Sequence, residues 1–204
     1  SKVFANQQTC ILPLVGTEVS RATGAEWAPE GNFVQVYLNG KYRGIYYLIE
    51  AIARGDGRIQ VDDSGFIAEN DAYWWNADDA YFKTSHQESS MGWTFKYPDL
   101  NEITAGQKDE IANCIEAFED SLYNNHPLDS IADLHSFARW VLAHDYLGTK
   151  DAWGSNMYMY RQNLDPLHPE TSKLKMATPW DFDSSFTTPD EWSVPHYAIC
   201  FYYN

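Results

Sequence analysis

Hydrophobic positions recur along this chain with two different spacings, and the change between them falls near its middle. The run Phe33-Val34-Gln35-Val36-Tyr37-Leu38 is β-branched and aromatic, and Gly44-Ile45-Tyr46-Tyr47-Leu48-Ile49-Glu50 has the same character after Asn39-Gly40. Asn-Gly suits a two-residue turn whose central positions both need positive φ, so this pattern predicts a β-hairpin. Short strands are expected at Gly65–Glu69 and Trp93–Tyr97. Residues 55–65, rich in Gly and Asp, read as loop, and the stretch holding Tyr73-Trp74-Trp75 and Asp78-Asp79 reads as irregular.

Beyond residue 105 the period lengthens. Ile111, Ile115, Phe118 and Leu122 recur at helical spacing and predict a helix over 106–123. A second stripe, Ile131, Leu134, Phe137, Ala138, Val141 and Leu142, predicts a helix capped by Asp129 or Ser130 and ended near Gly148. Met157–Arg161 and Lys173–Ala177 are strand-like and joined by a loop with Pro166 and Pro169. Residues Gln7 to Thr23 read as a helix of moderate quality at best, because Pro13 and Gly16 both oppose a continuous helix. The fold class expected is α+β in a single domain. Its β-rich front part spans 1–100, its helical back part spans 101–204, and a lobe boundary is expected between Glu50 and Gly106.

Composition removes some function classes. The chain has 204 residues and 44% hydrophobic content, enough for a real core. Fourteen basic residues against 29 acidic ones leave a net charge of −15, which argues against a nucleic-acid partner, since phosphate binding relies on Lys and Arg. No apolar run reaches the length of a membrane span, and no signal peptide is legible. The absence of an initiator Met and the aromatic end read as a processed product or an excised piece. Cys10, Cys114 and Cys200 form no C-x-x-C pair, and their odd number suits free thiols. His86, His126, His135 and His144 show no H-x-x-x-H or H-E-x-x-H spacing, so zinc chemistry is not expected. There is no G-x-S-x-G elbow, and His144-Asp145 has no nucleophile that the sequence identifies.

One constellation carries chemistry. Asp151, Asn156 and the run Trp180-Asp181-Phe182-Asp183 stand in the order that phosphoryl transfer from a nucleotide requires. One carboxylate orients the accepting hydroxyl, while an amide oxygen and a second carboxylate hold metal ions. Each residue also has a plainer reading: Asp181 as a turn residue, Asp151 as a cap, Asn156 as a structural amide. Glu50 and Glu69 each end an apolar strand, where a solvated edge carboxylate is commoner than a nucleotide contact.

Four runs extend the comparison: V-Y-L-N-G-K-Y-R-G-I-Y-Y-L-I-E from Val36 to Glu50, F-K-Y-P-D from Phe95, N-M-Y-M-Y from Asn156, and K-L-K-M-A-T-P-W-D-F-D from Lys173. In these the chain resembles the CotH (spore coat protein H) kinase-like family. The resemblance implies an atypical protein-kinase-like fold with a small lobe and a mainly helical large lobe. It implies transfer of phosphate from ATP, with Mg²⁺ or Mn²⁺, to protein hydroxyls. Carried over, Asp151 is the catalytic-loop carboxylate, Asn156 and Asp181 are catalytic metal ligands, and Asp183 is a further ligand. The helix near Glu18 corresponds to the kinase helix whose Glu pairs with a phosphate-anchoring lysine; Glu50, from its strand-end position alone, is the other candidate carboxylate on the nucleotide side. The strand bearing that lysine lies before Ser1 in the family pattern. The small lobe is therefore expected to be N-terminally incomplete and activity weak, with Lys96 as the substitute. Family members also act on cell surfaces as adhesins. An extracytoplasmic or spore-coat location, and a surface-binding module without phosphotransfer, are accordingly implied as well.

Overall fold

In a computed structural model, the described residues are 11–77, 80–86, 90–149, 152, 155–163, 167 and 170–186. The predicted hairpin forms from β1 (Gly31–Leu38) and β2 (Lys41–Ile49). Asn39 and Gly40 turn it with φ of 50° and 73°, as a two-residue turn of this type requires. It is a separate two-stranded sheet. Phe33, Tyr37, Leu38, Tyr42, Ile45 and Leu48 are all exposed on it.

The remaining strands are β3 (Phe66–Asp71), β4 (Tyr81–Phe82), β5 (Gly92–Tyr97), β6 (Met157–Arg161) and β7 (Leu174–Met176). They form one antiparallel sheet in the order β4-β5-β3-β6-β7. The division expected at residue 100 therefore does not separate two sheets. β3 lies between β5 from the front part and β6 from the back part, so segments about 90 positions apart are hydrogen-bonded neighbours.

Alternation along β3 sets up two faces. Phe66 and Ala68 join Trp93, Phe95, Met159, Leu174 and Met176 in the main core, closed by Ile111, Ile115 and Phe118 of α2 (Ala105–Tyr123) and by Trp140 of α3 (Leu134–Leu147). Ile67 faces the other way, into a smaller cluster with Tyr160, Ile59, Val61 and Ala177, against which Trp27 and Tyr97 pack.

The helices form for local reasons, with two corrections. α2 starts with a capping box between Thr104 and Gln107, which satisfies two end N–H groups reciprocally. α3 ends at Gly148 in the left-handed conformation, but its cap is Asp133 rather than Asp129 or Ser130. The backbone just ahead is taken by β7: Leu174 N donates to Ile131 O and Asp133 N donates to Leu174 O. Those bonds make Ala132 a bridge partner of Leu174, with Asp133 extended after it, so the helix begins only beyond them. The first helix, α1 (Leu12–Ala22), tolerates Pro13 because it sits in the first turn, where no intrahelical N–H is lost. Gly16 is required for another reason: a Cβ there would run into the Phe182 ring. No described helix is long and apolar enough to cross a membrane.

Candidate functional site

The second face of the sheet carries an unusual density of polar groups near one end. Glu69 of β3 is buried, and its Oε2 lies 2.6 Å from Lys96 Nζ on β5. Burying a carboxylate is costly unless it is paired, and Lys96 supplies the pairing. Opposite Glu69 on β6 stands Tyr158. Burial raises the pKa of its phenol far above the usual range, and negative charge on Glu69, Asp71 and Asp181 adds to the rise. Asp181 is thus close enough for its charge to act on the Tyr158 hydroxyl.

Asn156 lies just before β6. The β3–β6 register ends at Asn70↔Met157, so Asn156 directly precedes the last paired residue of β6. Both Asn156 and Asp181 have left-handed backbone, with φ of 57° and 58°. Asn and Asp tolerate that region better than other non-Gly residues, though at a cost that surrounding structure must impose. The amide of Asn156 donates to Ser155 Oγ at 3.3 Å. Asp181 is exposed, whereas the adjacent Phe182 is buried against α1, with its ring 6.0 Å from His144. Asp183, in the short 3₁₀ turn that follows, is partly buried.

Two further bonds tie this turn to the end of α3. Thr149 Oγ1 and Ser185 Oγ are 2.8 Å apart and buried, and Phe186 N donates to Leu147 O at 2.9 Å. The segment leading into Asp151 is thus stitched to the Asp181–Asp183 turn. Asp151 itself lies outside the described residues.

Two sequence candidates stand elsewhere. Glu18 is exposed and ion-paired with Arg21, one turn on in its own helix. The buried positions of α1 are Gly16, Thr17 and Ser20, so that face, and not the one bearing Glu18, packs inward. The carboxylate partner of Lys96 is Glu69, which the sequence offered only as a strand-end group. Glu50 accepts a hydrogen bond from Glu30 N at 2.9 Å and lies 3.5 Å from Arg58 Nε, which closes the base of the hairpin. Asp71 and Tyr158 were not singled out in the sequence. Alternation along β3 and β6 marks them as facing the same way as Glu69, but only strand order shows them to be neighbours.

Further along the same face a cavity of about 200 Å³ is lined by Glu26, Trp27, Arg58, Arg139, Tyr160 and Thr178, among others. Neither Asn156, Asp181 nor Lys96 borders it. At its wall, Glu26 accepts from Lys175 Nζ and Tyr160 Oη, each at 2.7 Å. Burial alone would raise the Glu26 carboxyl, but these hydrogen bonds outweigh it and hold it below the usual range. Of the cysteines, Cys114 is a free thiol raised by burial, with Sγ 3.6 Å from Arg161 Nη1. Cys10 and Cys200 are outside the described residues.

A comparison with curated proteins returned no match. Residues 22–197 match a protein family described as CotH kinase protein, a span that takes in the hairpin, the sheet, α2, α3 and the Trp180–Asp183 turn. With that share of its length matched, this chain belongs to the CotH kinase family.

Proposed function

We propose that this domain transfers a phosphoryl group from ATP to a protein hydroxyl, with Asp181, Asn156 and the Lys96–Glu69 pair as the working groups. The observation that carries the reading is the ion pair of Lys96 with the buried Glu69, 2.6 Å apart, with Tyr158 opposite Glu69 on β6. The negative charge of Asp181, which helps raise the same phenol, supports grouping the Asp-Phe-Asp carboxylate with that pair. In this reading Lys96 binds phosphate oxygens and Glu69 keeps its ammonium in place. Asp151 orients the accepting hydroxyl. Asn156 and Asp181 hold the cation, with Asp183 and Asp71 as further oxygen donors.

The donors present are carboxylate and amide oxygens, which suit Mg²⁺ or Mn²⁺. When bound, such an ion supplies neutralisation of charge on the phosphate oxygens. The protein's part is positioning and a fixed electrostatic field rather than covalent chemistry.

The test is phosphate incorporation into a protein acceptor with ATP and Mg²⁺ or Mn²⁺, alongside a thermal shift on nucleotide binding. Stabilisation by ATP that needs the metal, and incorporation lost in Asp181→Asn, supports the proposal. Equal ATP stabilisation of wild type and Asp181→Asn refutes it. A second reading, a surface-binding module without phosphotransfer, is favoured by the aromatic and aliphatic side chains exposed on the β1–β2 hairpin. It predicts no nucleotide effect at all.

A further inference from the structure

On the opposite face of the sheet, the segment after β4 meets α2 through groups that lie far apart in sequence. His86 Nε2 is 2.5 Å from Asp120 Oδ1. One donor atom each from His86, Glu116 and Asp120 all lie within 4.8 Å of one another. Glu116 and Asp120 are four apart on a helix and so share a face. The helix therefore supplies two carboxylates, and the segment after β4 supplies an imidazole.

Each group is held from behind. The Glu116 carboxylate accepts from Ser85 N, with its nearer oxygen at 2.9 Å, and from the Ser85 hydroxyl. The His86 ring stacks on Tyr123, with centroids 4.3 Å apart and planes at 14°. Tyr123 Oη in turn donates to His86 O at 3.5 Å. Outer hydrogen bonds and packing of this kind orient metal ligands. An isolated surface ion pair contributes little to stability and does not call for such bracing.

We propose that His86, Glu116 and Asp120 form a site for a divalent transition metal, Zn²⁺ by preference, which ties the segment after β4 to α2. An imidazole in the donor set selects Zn²⁺ and its neighbours over Mg²⁺ or Ca²⁺, which take oxygen ligands. Ligand atoms about 2.1 Å from a tetrahedral ion lie about 3.4 Å apart, so the three residues are close enough to share one ion once the direct His86–Asp120 contact opens by about 1 Å. The fourth position falls to water. The site does not draw on the nucleotide side: α2 packs on the face of Phe66 and Ala68, whereas Glu69 and Tyr158 occupy the other.

The experiment uses the full chain stripped of metal and titrated with Zn²⁺ by calorimetry and thermal melting, in an Asp181→Asn background that removes the proposed nucleotide-side ligand. One Zn²⁺ per chain is expected, together with a rise in melting temperature. His86→Ala combined with Glu116→Gln is expected to weaken Zn²⁺ binding at least about tenfold and to abolish that rise. Circular dichroism checks that the double variant folds. If it does not, Asp120→Asn is read instead through the visible absorption of bound Co²⁺, which should change in shape and intensity. Zn²⁺ binding with the same affinity in the variants would mark adventitious binding to an acidic surface and overturn the proposal. So would the absence of binding in the parent chain.

Discussion

Gly16→Ala separates helix propensity from tertiary packing, because the two give opposite signs. Within a helix Ala is favoured over Gly by about 1 kcal/mol. Here the added Cβ would meet three atoms of the Phe182 ring, the farthest of them only 2.5 Å away. Carbon atoms pack at about 3.5–4.0 Å, so the ring must retreat by about 1 Å or more. Phe182 is buried and its ring is also boxed in by His144, so that retreat disturbs a packed site. Overpacking of this kind costs about 1–3 kcal/mol, which exceeds the propensity gain. The expected net result is a loss of about 1 kcal/mol, or about 2–4 °C in melting temperature for a chain of this size. Asp181 immediately precedes Phe182, so metal-dependent stabilisation by ATP should fall as well. Gly106→Ala in α2 is the control, since nothing lies within 4 Å of its added Cβ. It should be neutral or stabilise by up to about 1 kcal/mol. Urea denaturation of both variants decides the matter: stabilisation of Gly16→Ala to the same degree as Gly106→Ala would refute the packing argument.

Other perturbations follow from the same geometry. Lys96→Ala leaves the Glu69 carboxylate buried without its partner and should cost about 1–3 kcal/mol in urea melts, while raising the KM for ATP more than it lowers kcat. Lys96→Ala with wild-type stability would mean the pair is solvated rather than buried. Asp181→Asn, at an exposed position, should change stability by no more than about 0.5 kcal/mol while removing metal-dependent ATP binding, read by calorimetry. Both ring nitrogens of His144 are buried without hydrogen-bond partners, and burial lowers its pKa from 6.5 to about 3. The unfolded chain takes up that proton first, so the stability it contributes is complete above about pH 6.5 and is lost on acidification toward pH 3. His144→Leu should therefore reduce the slope of stability against pH between 6 and 5 by up to about 1.4 kcal/mol per unit, measured by denaturant melts across that range. An unchanged slope would show that His144 gains a proton in the folded state.

What the sequence determined on its own is what neighbouring residues decide among themselves. The Asn39-Gly40 turn, the extent of α2 and the stop at Gly148 rest on positive φ, a period of 3.6 and a left-handed cap, all expressed within a few residues. The order of Asp151, Asn156 and Asp181 was legible for the same reason. What tertiary structure alone decided involves chain segments that meet after long separations. Strand order set Tyr158 beside Glu69, 89 positions away, and gave Lys96 that glutamate instead of Glu18. The β7 backbone shifted the α3 cap from Asp129 or Ser130 to Asp133, and Phe182 made Gly16 a packing requirement. His86 found its carboxylates 30 and 34 positions on, a spacing that matches no linear metal motif. Hydrophobic periodicity specifies which face of an element is buried, but it does not specify the partner. That choice rests on packing and register over the whole sheet.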